Sequence, residues 1–233
     1  MCNFFAFVTE PENHGGKRYY FDWKFRKNRL EIGNDGHSHI CNKHGLREDI
    51  CNKYEYNPLT GVFTVDMINS PVDDRVQAEK WVRGLDFKKI VEPLVVKPII
   101  NPLLLTAPAI DKNIILLLQE WASVSDSEWA SVRDSVGVSV WVSVWDSVWD
   151  SVWDSVWDSV WASVRDSVWD SVRVYVSSFF SIEHKYDYAH IVKLWEMGFV
   201  ASFDGTVWRL HAGKNAKVVF EISKSDLYNW KGK

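Results

Sequence analysis

Residues 142–173 read VSVWDSVWDSVWDSVWDSVWASVRDSVWDSVR, and the backbone chosen for this stretch decides the architecture of the chain. The same four-residue unit extends back to Ala122 through ASVS, DSEW, ASVR, DSVG and VSVW, with one slip at Glu128 and Trp129, and forward to Val174-Tyr175-Val176. Self-similarity on this scale dictates the fold around it, because every copy of a slot needs an equivalent environment. Ser and Val barely change in the second and third slots, whereas the first accepts Asp, Ala or Val and the fourth accepts Trp, Arg, Gly or Ser. Slots that stay constant while their neighbours vary are the ones that pack inward. Ser and Val therefore face a core, and the Trp/Arg and Asp/Ala slots look outward.

A flat strand does not suit this pattern, since alternation would put Asp with Val on one face and Ser with Trp on the other. An α-helix keeps Ser and Val on one side, but four residues turn through about 400°, so that face drifts by about 40° per repeat. Val, Ser, Asp and Trp are also mediocre helix formers. A solenoid has no drift: each tetrapeptide forms one side of a coil, each Val meets the same core, and each Ser satisfies backbone at a corner. The expectation is a narrow β-solenoid, with a long α-helix as the alternative.

Outward from the tract, Asp111 to Trp121 has an Asp N-cap and a stripe of Ile114, Leu117, Leu118 and Trp121, which predicts a helix capping one end of the coil. Residues 1–92 suggest a β-rich α+β domain. Asn3 to Thr9 and Arg18 to Trp23 are strand-like, Tyr54 to Asp66 is a hairpin turning at Asn57-Pro58-Leu59-Thr60-Gly61, and Val76 to Phe87 is helical. Pro93, Pro98, Pro102 and Pro108 punctuate an extended linker over 93–110, expected to pack against the body. After the rod, residues 177–233 form a small cap: a helix over Ala189 to Met197, then a three-stranded meander over Phe199 to Ile222 turning at Asp204-Gly205 and Gly213-Lys214-Asn215. The expected fold class is thus α+β, in five pieces: domain 1–92, linker 93–110, capping helix 111–121, repeat rod 122–176 and cap 177–233.

MCNFFAFVTE at the start, GHSHICNKHGLREDICNKYEYNPLTGVFTVDMIN over 36–69, the tetrapeptide tract, and LWEMGFVASFDGTVWRLHAGKNAKV over 194–218 together resemble a group of phage and phage-associated bacterial proteins. In that group an N-terminal Met-Cys-Asn-Phe domain is joined to short tandem repeats of variable number. The resemblance implies a mobile-element context and brings no catalytic residues with it.

Composition narrows the possibilities. A net charge of −4 is a poor match to a general nucleic-acid-binding surface, and three cysteines in 233 residues suit a reducing compartment better than a disulfide framework. No uncharged apolar run is long enough to span a membrane, and the first residues lack the pattern of a signal peptide, so the cytoplasm is the expected location, which the resemblance implies is that of a bacterial host. From Ala122 to Val174, nine acidic residues against three arginines leave −6. An acidic coil can imitate duplex DNA, but so many Trp make a poor phosphate mimic.

Three groups of residues could carry chemistry. Cys2 would become an N-terminal nucleophile if Met1 were removed, its own α-amine acting as base, with His37 as a possible catalytic partner. Class II glutamine amidotransferases also begin Met-Cys, but the Gly-Ile-type continuation is absent. A buried thiol in the first strand is the plainer account. His37, His39, Cys41 and His44, with Cys51 further on, supply nitrogen and sulfur donors, although their spacing matches no common zinc finger or ribbon. In a turn-rich segment they suggest exposed histidines and a buried Cys41, and neither a metal nor a cofactor is expected. The third group is the repeat's fourth slot, namely Trp141, Trp145, Trp149, Trp153, Trp157, Trp161, Arg165 and Trp169. Outward Trp interleaved with Asp and Arg has the composition of an interface hot spot. The functional expectation is a non-enzymatic binding or assembly protein that meets a protein partner or forms a homo-oligomer, without nucleic acid or membrane. The alternative is an amidohydrolase or amidotransferase using Cys2, with the repeat for targeting.

Overall fold

The tetrapeptide tract is helical wherever the computed structural model describes it. The described residues are 4–10, 18–23, 36–91, 94–123, 141–142, 144–151, 170–182 and 187–231. Within the tract, 141–142, 144–151 and 170–177 are α-helical, and no solenoid coil occurs among the described residues. The expected repeat rod is therefore corrected, and the α+β class stands without it. The physical reason lies in the period itself. A four-residue repeat puts like residues at i and i+4, which are neighbours on a helix surface. Val144 and Val148 are both fully buried, Trp145 stacks on Trp149 with ring centroids 5.8 Å apart, and the Ser151 hydroxyl donates to the Ser147 carbonyl at 2.8 Å. Ser151 thus bonds within its own helix, and Ser171 donates to the Ala201 carbonyl of a neighbouring strand at 3.2 Å, neither at the corner of a coil. Drift costs little over so short a run: from 141 to 151 it amounts to roughly 100°, about the width of an ordinary apolar helix face.

The chain divides into two units, Met1–Pro98 with Val136–Val144, and Ile99–Ser135 with Trp145–Lys233. The first is built on an antiparallel sheet of order β2-β1-β3-β4, formed by β1 (Phe5–Thr9), β2 (Tyr19–Tyr20), β3 (Asn52–Tyr56) and β4 (Phe63–Met67). All five residues of β1 are buried, so both faces of the sheet are covered. Phe5, Phe7 and Thr9 pair directly with Tyr56, Tyr54 and Asn52 of β3 and share one face with them. On that face Phe7 meets Trp81 of α2 (Arg75–Arg83) at 5.0 Å, and Phe5 meets Phe87 of α3 (Phe87–Ile90) edge-on at 5.2 Å. The opposite face offers Ala6 and Val8 to Ile40 and Cys41 of α1 (Gly36–His44), in a cluster completed by Tyr20 and Cys51.

The hairpin expected over Tyr54 to Asp66 forms as β3–β4. Its turn is held by Asn57, whose Oδ1 accepts from the Leu59 and Thr60 amides at 3.0 and 3.3 Å, while Gly61 takes the left-handed φ of 71° that the turn requires.

In the second unit, the Pro-rich stretch is packed rather than free. The Ile100 amide donates to the Tyr175 hydroxyl at 2.9 Å, its carbonyl accepts from Trp195 Nε1 at 2.8 Å, and those two rings stack on each other. Asp111 caps α4 (Lys112–Ala122) as its sequence predicts, accepting from the Asn113 and Ile114 amides. Helix α4 packs on α5 (Ala189–Glu196), and the Gln119 side chain donates to the Leu227 carbonyl in α6 (Lys224–Tyr228). The meander follows with β5 (Val200–Phe203), β6 (Val207–Ala212) and β7 (Lys217–Ser223), paired in that order. Among the described residues no helix is long and apolar enough to cross a membrane.

Candidate functional site

Asn52, the first residue of β3, organises the densest polar centre of the first unit. Its Oδ1 accepts from the Asn69 and Ser70 amides at 3.0 and 2.9 Å, and its Nδ2 donates to the Val72 carbonyl at 2.9 Å. These bonds draw the segment after β4 across the sheet and carry Asp74 inside, where it is 1% exposed. Asp74 Oδ1 then accepts from Asn52 Nδ2 at 2.7 Å, Tyr54 Oη at 2.6 Å and Thr9 Oγ1 at 3.1 Å. Its Oδ2 accepts from Arg18 Nε and Nη2 at 3.3 and 3.0 Å. Burial pushes this carboxyl upward, but the bonds from Tyr54, Asn52, Thr9 and Arg18 outweigh it and hold the group below the usual carboxylate range. Tyr54 moves the other way, raised by burial and by its bond to the Asp74 carboxylate. The protein's own donors fill the acceptor sites of this carboxylate, so it fastens loop to sheet and is not poised to take a proton from a substrate.

The histidine-rich segment is a helix, which corrects the turn-rich expectation. Helix α1 ends at Gly45, in the left-handed region at φ 65°, with the Leu46 amide bonded back to the Cys41 carbonyl at 2.9 Å. Its inward stripe of His37, Ile40 and Cys41 is buried, so His37 is not an exposed histidine. The four donors also point to different partners. His37 Nε2 donates to the Tyr54 carbonyl at 3.0 Å, and its Nδ1 lies 3.3 Å from Asp66 Oδ2. His39 Nε2 lies 3.6 Å from Asp22 Oδ2, which Lys43 also reaches at 2.6 Å. His44 Nε2 is 3.5 Å from the Phe21 carbonyl, and Cys41 is sealed in the core. Among the described residues no group of three or more His, Cys, Asp or Glu is set to hold a metal ion. Cys2 lies outside the described residues.

The repeat's fourth slot divides. Trp141 is buried, against the outward expectation, while Trp145 and Trp149 are half-buried. Asp146 and Asp150 are exposed, whereas Val144, Ser147 and Val148 are buried. The same division recurs at 170–173, where Ser171 and Val172 are buried and Arg173 pairs with Asp170 at 3.1 Å on the half-exposed side. Trp153, Trp157, Trp161, Arg165 and Trp169 lie outside the described residues.

Sequence reasoning missed a second constellation besides the Asp74 centre. In the meander, His211 Nδ1 donates to the Ala216 carbonyl at 3.0 Å, which leaves Nε2 to accept from the Ser202 hydroxyl at 2.8 Å. Burial lowers the His211 pKa and keeps the ring neutral. A base against a hydroxyl, oriented by a third group, is the geometry of an activated nucleophile. Here, however, Ser202 is fully buried, and the pair pins β5 to β6. Its signal was present in the meander pattern, which sets Ser202 and His211 on adjacent strands. Compared with family models, curated proteins and solved structures, the chain matches none.

Proposed function

We propose that the chain is a non-enzymatic binding protein that docks a protein surface, a second copy of itself first, against the aromatic flank of its repeat helix. One observation carries this reading: Trp145 and Trp149 stack at 5.8 Å on a half-exposed flank, edged by exposed Asp146 and Asp150, while the constant Val and Ser slots fill the inside. Stacked aromatics with a charged rim are the composition of interface hot spots. The polar centres at Asp74, His37 and Ser202–His211 are spent on fastening the fold, which favours binding over catalysis. The likeness to phage-associated repeat proteins supports a mobile-element context, the three cysteines support a cytoplasmic setting, and the acidic tract argues against a nucleic-acid partner.

The test is the Trp145→Arg/Trp149→Arg double variant of the full chain, which copies what the tract itself does in this slot at Arg133 and Arg165. Sedimentation equilibrium is expected to show association lost while the circular-dichroism spectrum is kept. A folded variant that associates like the parent, or one that unfolds because the pair is core, overturns the proposal.

A further inference from the structure

Helix α1 and the start of β3 bring two thiols together that the proposed binding function does not use. Cys41 lies on the inward stripe of α1, and Cys51 directly precedes β3, set by its amide's bond to the Glu48 carbonyl at 3.4 Å. The two side chains pack into one buried cluster, close enough for each thiol to perturb the other. Both are fully buried and unbridged in the apolar cluster with Ala6, Val8, Tyr20 and Ile40, and among the described residues no metal-holding group includes them. We propose that Cys41 and Cys51 are an oxidation-responsive pair, converted by a low-molecular-weight disulfide into an intrachain disulfide that fastens α1 to β3.

The roles within the pair differ. Cys41 rides on α1, the element whose local opening exposes it first, whereas Cys51 stays anchored beside β3, so Cys41 is the attacking sulfur. Contact with Cys51 lowers the Cys41 thiol below its ordinary value and raises Cys51, in keeping with these roles. Its thiolate forms a bond to one sulfur of the small disulfide RSSR, the S–S bond breaks, and RS⁻ leaves with the electron pair and takes up the Cys41 proton. Cys51 then attacks Cys41 Sγ, displaces the second RS⁻, and gives it the remaining proton. Two protein thiols are oxidised and one small disulfide is reduced to two thiols. Because both sulfurs are buried, the first attack waits on a local opening of α1, and the rate follows that opening.

Peptide mapping decides the matter. The full chain carrying Cys2→Ser is exposed to excess oxidised glutathione, quenched with an alkylating agent and digested without reductant. A linked Cys41–Cys51 peptide is expected as the main product, with both thiols lost together and recovered in dithiothreitol. The reaction is expected to run several-fold faster in urea below the unfolding transition. In a Cys51→Ala chain, glutathione is expected to remain on Cys41. Glutathione that stays on Cys41 although Cys51 is present, or thiols that remain alkylatable after oxidant exposure in that urea, overturns the proposal. Mapping of the chain that keeps both cysteines stands even if Cys51→Ala fails to fold.

Discussion

Asp74 shows how much of the first unit depends on one buried charge. Asp74→Asn keeps the shape but removes the charge and turns an amide toward Arg18 and Tyr54, leaving buried donors against a donor. A loss of about 2–3 kcal/mol is expected in urea unfolding, since buried donors lose their acceptor, while Arg18, a third exposed, regains water. Tyr54→Phe deletes a single donor and is expected to cost about 1 kcal/mol. Equal and negligible costs would show that the carboxylate is not the anchor. This centre was not legible in the sequence, because Thr9 and Arg18 stand 65 and 56 positions from Asp74 and no local pattern links them. His211 offers a pH-dependent counterpart. Its folded pKa lies below the unfolded value of about 6.5, so the unfolded chain binds the extra proton, and stability falls as pH drops below that value. His190 is lowered by burial too and acts with the same sign. Imidazole NMR is expected to show His211 as the Nδ1–H tautomer at pH 7, titrating only below about 6.5. An Nε2–H tautomer would contradict the Ser202 bond.

Elements whose signals are local were readable one by one. Asp111 caps its helix, Asn57 and Gly61 turn their hairpin, and the meander turns where Asp204-Gly205 and Gly213-Lys214-Asn215 stand. In the first of these turns Asp204 accepts from the Thr206 and Val207 amides at 2.9 and 2.8 Å, bonds available only to an acceptor at that position. Where the reading failed, the signal was ambiguous or distant. A four-residue period satisfies a coil by translation and a short helix by i,i+4 contact, and sequence alone does not say over how many repeats the drift must be borne. Helix α1 has few good helix formers, and its stop at Gly45 and its seat against Ala6 and Val8 compensate for weak propensity. Two glycines test this account of helix ends. Gly45 (φ 65°) has nothing within 4 Å of where a Cβ would lie, so Gly45→Ala is expected to cost about 1 kcal/mol, the left-handed penalty alone. At Gly198 (φ 93°), after α5, a Cβ would lie 3.2 Å from Leu105 Cβ and 3.3 Å from the Pro102 carbonyl. Gly198→Ala must therefore also displace the packed Pro-rich segment, and about 2–3 kcal/mol is expected. Equal shifts in urea midpoint for the two variants would remove that segment's role.

Charge is distributed unevenly along the chain, and this bears on the proposed self-association. The whole molecule carries −4 and the tract from Ala122 to Val174 carries −6, which leaves +2 on the remainder. Two copies that join tract to tract bring acidic rims together, so the aromatic contact forms against electrostatic repulsion. Raising sodium chloride from about 50 to 300 mM shortens the screening length to well under 10 Å and weakens that repulsion. Self-association through Trp145 and Trp149 is therefore expected to tighten with salt, by roughly threefold to tenfold in dissociation constant if about 1 kcal/mol of repulsion is screened. A basic protein docking on the same flank would respond in the opposite direction, losing affinity as its attraction to Asp146 and Asp150 is screened. Replacing both aspartates with Asn separates the cases further. Self-association of that variant should be tighter at low salt and less dependent on salt than the parent's, whereas binding to a basic partner should weaken. Sedimentation equilibrium of the parent and this variant at the two salt concentrations gives the sign directly. If parent self-association weakens with salt, the copies do not meet through their acidic tracts, and the contact must instead join one copy's tract to the positively charged remainder of another.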